Sequence, residues 1–341
     1  MTERRYDPTS GEWVTFATHR QHRTYKPNAD FCPLCPSRPG SPATEIPFES
    51  FEVVTFDNRF PSFSPNPPAP DIEGSGLLGV KPAAGRCEVL VYSDDHTKTM
   101  ADLSIERVRM LVDIWTDRWV VIGSEREVSY VMPFENKGEV VGTTLSHPHG
   151  QIYGYPEIPP RPLKELLSAR RHLSLNGTCV ECDVVANELD DGRRVVASNE
   201  RWLAWVPFWA RFPYEVHVAT KVHRPSLAAL DQRDRAQLAE ILLDVTRTYD
   251  ALWGFSLPYI MAFHQRPTNE DEAWDEISHL HIEFSPPNRT RDRLKFLAGS
   301  ELAGGAFVTD VSPEVAATSL RKARAKKLGR TARLLATKYR R

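Results

Sequence analysis

The chain carries one order of chemical landmarks twice, and that repetition limits what it can fold into. Cys32 and Cys35 are matched by Cys179 and Cys182, and the strand-ending His96 is matched by His223. Each histidine precedes a helix of similar pattern, with residues 99–103 lying beside residues 226–230. His147, His149 and Gln151 are then matched by His279, His281 and Glu283. A C-x-x-C, a histidine, a helix and a polar-faced strand, repeated in that order, describe one supersecondary unit present in two copies. This predicts an α+β chain of two duplicated halves, each an antiparallel sheet with flanking helices, joined into one continuous unit. The halves are expected at 1–160 and 161–320, followed by a basic tail at 321–341. At 341 residues and 41% hydrophobic the chain can bury a substantial core.

Local patterning fills in the units. Period-two alternation predicts strands near 51–58, 87–92, 128–134, 139–153, 202–206, 214–223, 258–264 and 279–284. The run Glu135-Asn136-Lys137-Gly138 has the composition of a hairpin turn between two of them. Apolar residues at helical spacing predict helices from Ser104, a candidate N-cap, and over about 226–252. Residues 156–162 read as a proline-dense linker before a helix near 163–172.

The cysteines argue for metal. Four of the five lie in two C-x-x-C pairs, and in a reducing compartment that favours metal or redox chemistry over disulfides. The fifth, Cys87, reads as a small buried hydrophobe. Each pair of thiolates supplies half a tetrahedron. Cys32, Cys35, His96 and His147 would complete one zinc site, and Cys179, Cys182, His223 and His279 the other. Four-coordinate sites with no open position are structural, so neither ion is expected to be catalytic.

The stretch Leu145-Ser146-His147-Pro148-His149-Gly150-Gln151-Ile152-Tyr153 is expected to be extended, with His147, His149 and Gln151 on one side about 7 Å apart. Gly150 would allow close approach to the backbone. With His147 tied to a metal, His149 is left on a fixed strand and free to react. The second copy replaces Gly150 by Ile282 and Gln151 by Glu283, so the chemistry is expected in the first half alone.

Charge excludes little. The formal net charge is -2; ten Lys or Arg and no acid between 321 and 341 leave about -12 on the first 320 residues by subtraction. No apolar run approaches the ~20 residues that span a bilayer, and the N-terminus lacks a signal peptide's apolar segment, which predicts a cytoplasmic chain with no membrane partner.

These residues resemble the galactose-1-phosphate uridylyltransferases, the transferase branch of the histidine triad superfamily. The most specific element is His147-Pro148-His149-Gly150-Gln151, where the hydrolase branch has a third histidine in place of Gln151. Arg5-Tyr6-Asp7-Pro8, Trp13-Val14, Arg20, Arg23, Asn58, Asp95-His96-Thr97-Lys98-Thr99 and Glu135-Asn136-Lys137-Gly138 match in order. The resemblance implies two histidine-triad-like halves and a ping-pong exchange. His149 would take UMP from UDP-glucose, releasing glucose 1-phosphate, and pass it to galactose 1-phosphate to give UDP-galactose. Gln151 would donate to a phosphate oxygen of the uridylyl-histidine and favour transfer over hydrolysis. Arg20, Arg23, Asn58, Asn136, Gly142, Thr144 and Gly150 would contact substrate, and the backbone carbonyl of His147 would orient the ring of His149. A homodimer is implied as well.

Some members carry a second metal on a glutamate and histidines, for which Glu165, His264, His281 and Glu283 are the matching positions, in competition with the second C-x-x-C set. The region from Lys295 to Phe307 departs from the family pattern where hexose is contacted. The alternative within the superfamily is an ADP-glucose phosphorylase-like adenylyltransferase using the same histidine. A zinc-stabilised nucleic-acid binder is disfavoured, because the cysteine pairs lie 147 residues apart and the body is acidic.

Overall fold

Strand Arg86–Val91 shows how the sequence makes a two-sided sheet. Leu90 is buried on one face with the main helices, while Val89 and Val91 pack on the other against Cys32, Leu34 and Ile46. In chain order the first half gives Thr2–Asp7 (β1), Glu12–Ala17 (β2), Val54–Asp57 (β3), Val80–Pro82 (β4), Arg86–Val91 (β5), Ile105–Gly123 (α1), Tyr130–Lys137 (β6) and His149–Tyr155 (β7). The second half gives Pro160–Asn176 (α2), Val180–Asp191 (α3), Val195–Ser198 (β8), Trp202–Trp205 (β9), Val216–Thr220 (β10), Gln232–Trp253 (α4), Tyr259–His264 (β11), Trp274–Ile277 (α5), His281–Ser285 (β12), Gly299–Gly304 (α6) and Pro313–Lys338 (α7), with a small hairpin of Asn288–Thr290 and Arg293–Leu294 before α6. The computed structural model describes residues 2–22, 27, 32–40, 42–269 and 273–338, with backbone alone for 330–338.

Nine strands form one sheet in the order β3-β5-β7-β6-β11-β12-β10-β9-β8, antiparallel at every pairing. The order β3-β5-β7-β6 in the first half is repeated as β9-β10-β12-β11 in the second. The halves meet where β6 pairs with β11, Tyr259 facing Lys137 and Ala262 facing Phe134. The duplication read from the residues is therefore a duplication of topology, and the α+β class with two joined antiparallel halves holds. Beside the seam, Lys137 Nζ reaches Asp250 Oδ1 on α4 at 2.8 Å.

The helices start where their caps dictate. Ser104 accepts from the Arg107 amide at 3.2 Å, and Asp231 closes a capping box with Asp234, contacts of about 1 kcal/mol each. Both helices bury one stripe in a common core, with Val108, Leu111 and Trp115 from α1 and Leu238, Leu242 and Tyr249 from α4. The run at 321 onward continues α7 as far as Lys338, held by Arg321 on the carbonyls of Arg193 and Val195 and by Arg324 on Asp244.

Three expectations are corrected. Glu135 to Lys137 do not turn; they complete β6, because their backbones pair with β11 of the other half. The strand expected from residue 139 begins at His149, and that expected from 279 begins at His281. His147 and His279 thus precede their strands, and His147, His149 and Gln151 do not share one strand face. The third correction concerns the helix expected from 226, which begins at Gln232 after a single short turn at Leu227–Ala229.

Candidate active site and metal centres

The face of the sheet away from α1 carries a cleft at the start of β7. His149 and Gln151, two apart on that strand, both point into it, opposite Val91 and Val89 of β5. His149 is half-buried, and its Nδ1 donates to the carbonyl of His147 at 2.7 Å. That bond puts the proton on Nδ1 and leaves Nε2 with its lone pair. Burial pushes the pKa of His149 below the ordinary 6.5, with the His147 carbonyl partly opposing the shift. A neutral imidazole facing the cleft is a nucleophile at pH 7.

The polar lining surrounds that ring. Asn58 Nδ2 donates to Gln151 Oε1 at 3.2 Å, which leaves the amide nitrogen of Gln151 as a donor for an incoming acceptor. Asn58 Oδ1 in turn holds the Phe60 amide at 2.9 Å. Arg20 reaches the cleft from the first half's opening segment, and its Nη1 is held by Ser62 Oγ at 2.7 Å and by the Phe60 carbonyl and the Tyr153 hydroxyl at 3.2 Å. Asn136, Gly142, Thr144 and Gly150 line the same cleft. Arg23 lies outside the described residues. Tyr153 and Thr143, which line it too, carry no sequence signal that would have singled them out.

Gly150 has a different reason to be glycine than ligand approach. A Cβ there would sit 2.3 Å from the hydroxyl of Tyr92, behind the sheet, and 3.0 Å from the Phe134 carbonyl. The crowding comes from the protein's own buried tyrosine. Gly150→Ala is expected to cost about 1–3 kcal/mol from overpacking. Tyr92→Phe in the same chain should recover most of that, because the hydroxyl is buried without a partner. Denaturant midpoints of the two single variants and the double variant measure the coupling, and additive losses would refute the contact.

Both cysteine pairs find their histidines. Cys35 Sγ lies 3.5 Å from Nδ1 of His96 and 3.5 Å from Nδ1 of His147. Cys182 Sγ lies 3.7 Å from Nδ1 of His223 and 3.4 Å from Nδ1 of His279, and Cys179 Sγ lies 3.8 Å from the latter. A tetrahedral zinc with ordinary bond lengths requires sulfur–nitrogen edges of roughly 3.6 Å. In both groups Nδ1 faces inward and Nε2 is used elsewhere. His147 donates to the Ser93 carbonyl at 2.7 Å, His279 to the Thr220 carbonyl at 3.0 Å and His223 to the Asp275 carbonyl at 2.7 Å. Outer partners of that kind fix the tautomer a metal ligand needs. The clusters fit a Cys2His2 ion in donor type, spacing and tautomer.

Glu165, His264, His281 and Glu283 fall into two adjoining groups, Glu283 Oε2 lying 3.7 Å from His264 Nε2 and its Oε1 3.9 Å from His281 Nε2. Glu165, His264 and His281 come within ligand distance of one another, while Glu283 groups with Glu215 and His217. Neither group shares a residue with the cysteine cluster, so the competition expected between them does not arise. His281 repeats the geometry of His149, its Nδ1 on the His279 carbonyl at 3.0 Å. Its surroundings differ, with Glu165, Glu181, His264 and Glu283 lining its cleft.

Two family models cover the chain. The galactose-1-phosphate uridyl transferase N-terminal domain matches residues 1–159, and the C-terminal domain of the same family matches residues 165–332. A galactose-1-phosphate uridylyltransferase of Thermotoga maritima is 37% identical over 94% of this chain and 98% of its own length, and one of Streptomyces lividans 36% identical over 94% and 87%. A solved uridylyltransferase structure superposes with a TM-score of 0.85 at 33% identity, covering 95% of this chain and 99% of that one. An ADP-glucose phosphorylase from Arabidopsis thaliana shares the fold, with a TM-score of 0.70 at 20% identity over 94% of this chain and 99% of that one.

Proposed function

The chain belongs to the galactose-1-phosphate uridylyltransferase family, and from that membership we propose that it moves UMP from UDP-glucose to galactose 1-phosphate through a covalent bond to His149. The observation that carries this reading is the 2.7 Å bond from His149 Nδ1 to the His147 carbonyl, which aims an unprotonated Nε2 into a cleft lined by amides and a guanidinium. Nε2 attacks the α-phosphorus of UDP-glucose, an N–P bond forms, and the P–O bond to the β-phosphate breaks, its electron pair leaving with glucose 1-phosphate. A phosphate oxygen of galactose 1-phosphate then attacks the same phosphorus. The N–P bond breaks and its pair returns to Nε2. The proton on Nδ1 stays throughout, and its hydrogen bond to the His147 carbonyl stabilises the positive charge that grows on the ring.

Gln151 binds a non-bridging oxygen of the intermediate through its amide. Having no proton to shuttle to water, it leaves the adduct for the second sugar phosphate. Arg20, Asn58, Asn136, Gly142, Thr144 and Gly150 form the substrate surface, with Arg23 a further contact expected from the family pattern, and Arg20 is already held by three acceptors and able to meet phosphate charge with little rearrangement. Cys32, Cys35, His96 and His147 would hold one zinc, and Cys179, Cys182, His223 and His279 a second. Both are closed sets that would supply rigidity and no open coordination position.

Incubation with UDP-glucose and no acceptor is expected to give an acid-labile adduct of one UMP per chain by intact mass, absent in His149→Ala. If no adduct forms, or if the variant keeps it, the covalent route is wrong. ADP-glucose in a parallel tube tests the alternative donor. A faster or more complete adduct there would favour adenylyl transfer, which the 20% identical phosphorylase supports only at the level of fold.

A further inference from the structure

The second half's cleft holds an ionisable cluster that neither the cysteine sites nor the transfer chemistry uses. Its acids are Glu165 on α2, Glu215 before β10 and Glu283 on β12, the last two almost fully buried, and Glu181 on α3 lines the same cleft. Placing three carboxylates together in a protein interior requires compensating positive charge or donors. A divalent ion would provide that, and so would a guanidinium.

Oxygen by oxygen, Glu165, Glu215 and Glu283 are already satisfied, while Glu181 Oε1 is buried without a hydrogen-bond partner. Arg161, in the first turn of α2, donates Nε to Glu165 Oε1 at 3.2 Å and pairs through Nη2 with Glu283 Oε2 at 2.5 Å. The other Glu165 oxygen takes His264 Nδ1 at 2.6 Å. Glu283 Oε1 faces His217 Nε2 at 3.3 Å, and the same nitrogen meets Glu215 Oε1 at 2.9 Å. Glu215 Oε2 accepts the backbone amides of Arg211 at 2.6 Å and Phe212 at 2.9 Å. A metal at Glu165, His264 and His281 would have to break the Glu165–His264 contact and compete with a fixed charge that never deprotonates.

We propose that Arg161 is the resident cation of this cluster, bridging Glu165 and Glu283 where a third metal would otherwise sit, so that the chain holds metal at its two cysteine clusters alone. The inference rests on the reading that those cysteine clusters bind metal, and cobalt(II) separates the two ideas. Thiolate-bound cobalt gives an intense near-ultraviolet charge-transfer band; cobalt on carboxylates and imidazoles does not. Chain purified without metal and titrated with cobalt(II) is expected to saturate at about two equivalents, both with the thiolate band. A third equivalent without that band, removed by Glu165→Gln, would overturn the proposal.

Arg161→Gln leaves the bridged carboxylates without their guanidinium, and it is expected to gain one equivalent lacking the thiolate band. If it gains none, the guanidinium is not what keeps metal out, and the proposal fails. The conservative Arg161→Lys, which restores a positive charge, is expected to return to the wild-type count. Saturation at about one equivalent, its band lost in Cys35→Ala, would sink metal binding at the second cysteine cluster while still supporting exclusion by Arg161.

Discussion

His149→Ala is expected to lower the rate of uridylyl exchange by at least about 10^4-fold, because a two-step route through an N–P bond has no substitute once the attacking nitrogen is gone. The loss should be in turnover, with little change in thermal midpoint, since among the described residues the half-buried ring is hydrogen-bonded only to the His147 carbonyl. Steady-state rates set beside a melting curve separate the two. The wild-type pH profile carries a second expectation. Only the neutral ring attacks, and burial holds the pKa of His149 under 6.5. The rate of adduct formation should therefore fall on acidification with a midpoint below that value, and it should be flat above it until other groups titrate. An acid limb centred above 6.5 would mean that burial does not govern this histidine.

The sequence announced more of this site than of the sheet around it. Cysteine spacing and the repeated histidines were legible because metal ligation demands particular side chains, and their pairing across 100 residues needs no knowledge of strand register. His147 and His149 could be told apart by place for the same reason, the first joining the cysteine cluster and the second facing the cleft. What the residues could not show was where β7 begins. Residues 139–148 contain Val140, Val141 and Leu145 and read as strand, but two glycines at positive φ, Gly138 at 97° and Gly142 at 89°, make a turn there instead. Glu135 to Lys137 were misread because turn composition competes with pairing to a strand over 120 residues away, and that long-range pairing prevailed.

Gly150 illustrates the same limit at one atom. A glycine beside a nucleophile invites a ligand explanation, and only the position of Tyr92 gives the other one. Arg161 was invisible for a related reason. It lies among prolines that read as a linker, and the helix that carries it across to Glu283 starts three residues earlier than periodicity indicated.

The two cysteine clusters look equivalent, yet their loss should not be. Cys35→Ala is expected to release the first metal and to lower the thermal midpoint by roughly 10 °C, since structural zinc contributes several kcal/mol to folding. It should also remove most exchange activity at temperatures where the chain stays folded. His147 is both a proposed ligand of that ion and the source of the carbonyl that orients His149, so freeing its ring loosens the acceptor on which the nucleophile's tautomer depends. Cys182→Ala should cost a comparable amount of stability and leave turnover within about two- to threefold, because the carbonyl that His279 supplies orients only His281, which the carboxylates of its cleft keep from phosphate. Zinc content, melting temperature and exchange rate measured on both variants at one permissive temperature decide the matter. Equal loss of activity in the two would mean that metal binding supports the sheet as a whole, and the coupling from zinc through His147 to His149 would have to be abandoned.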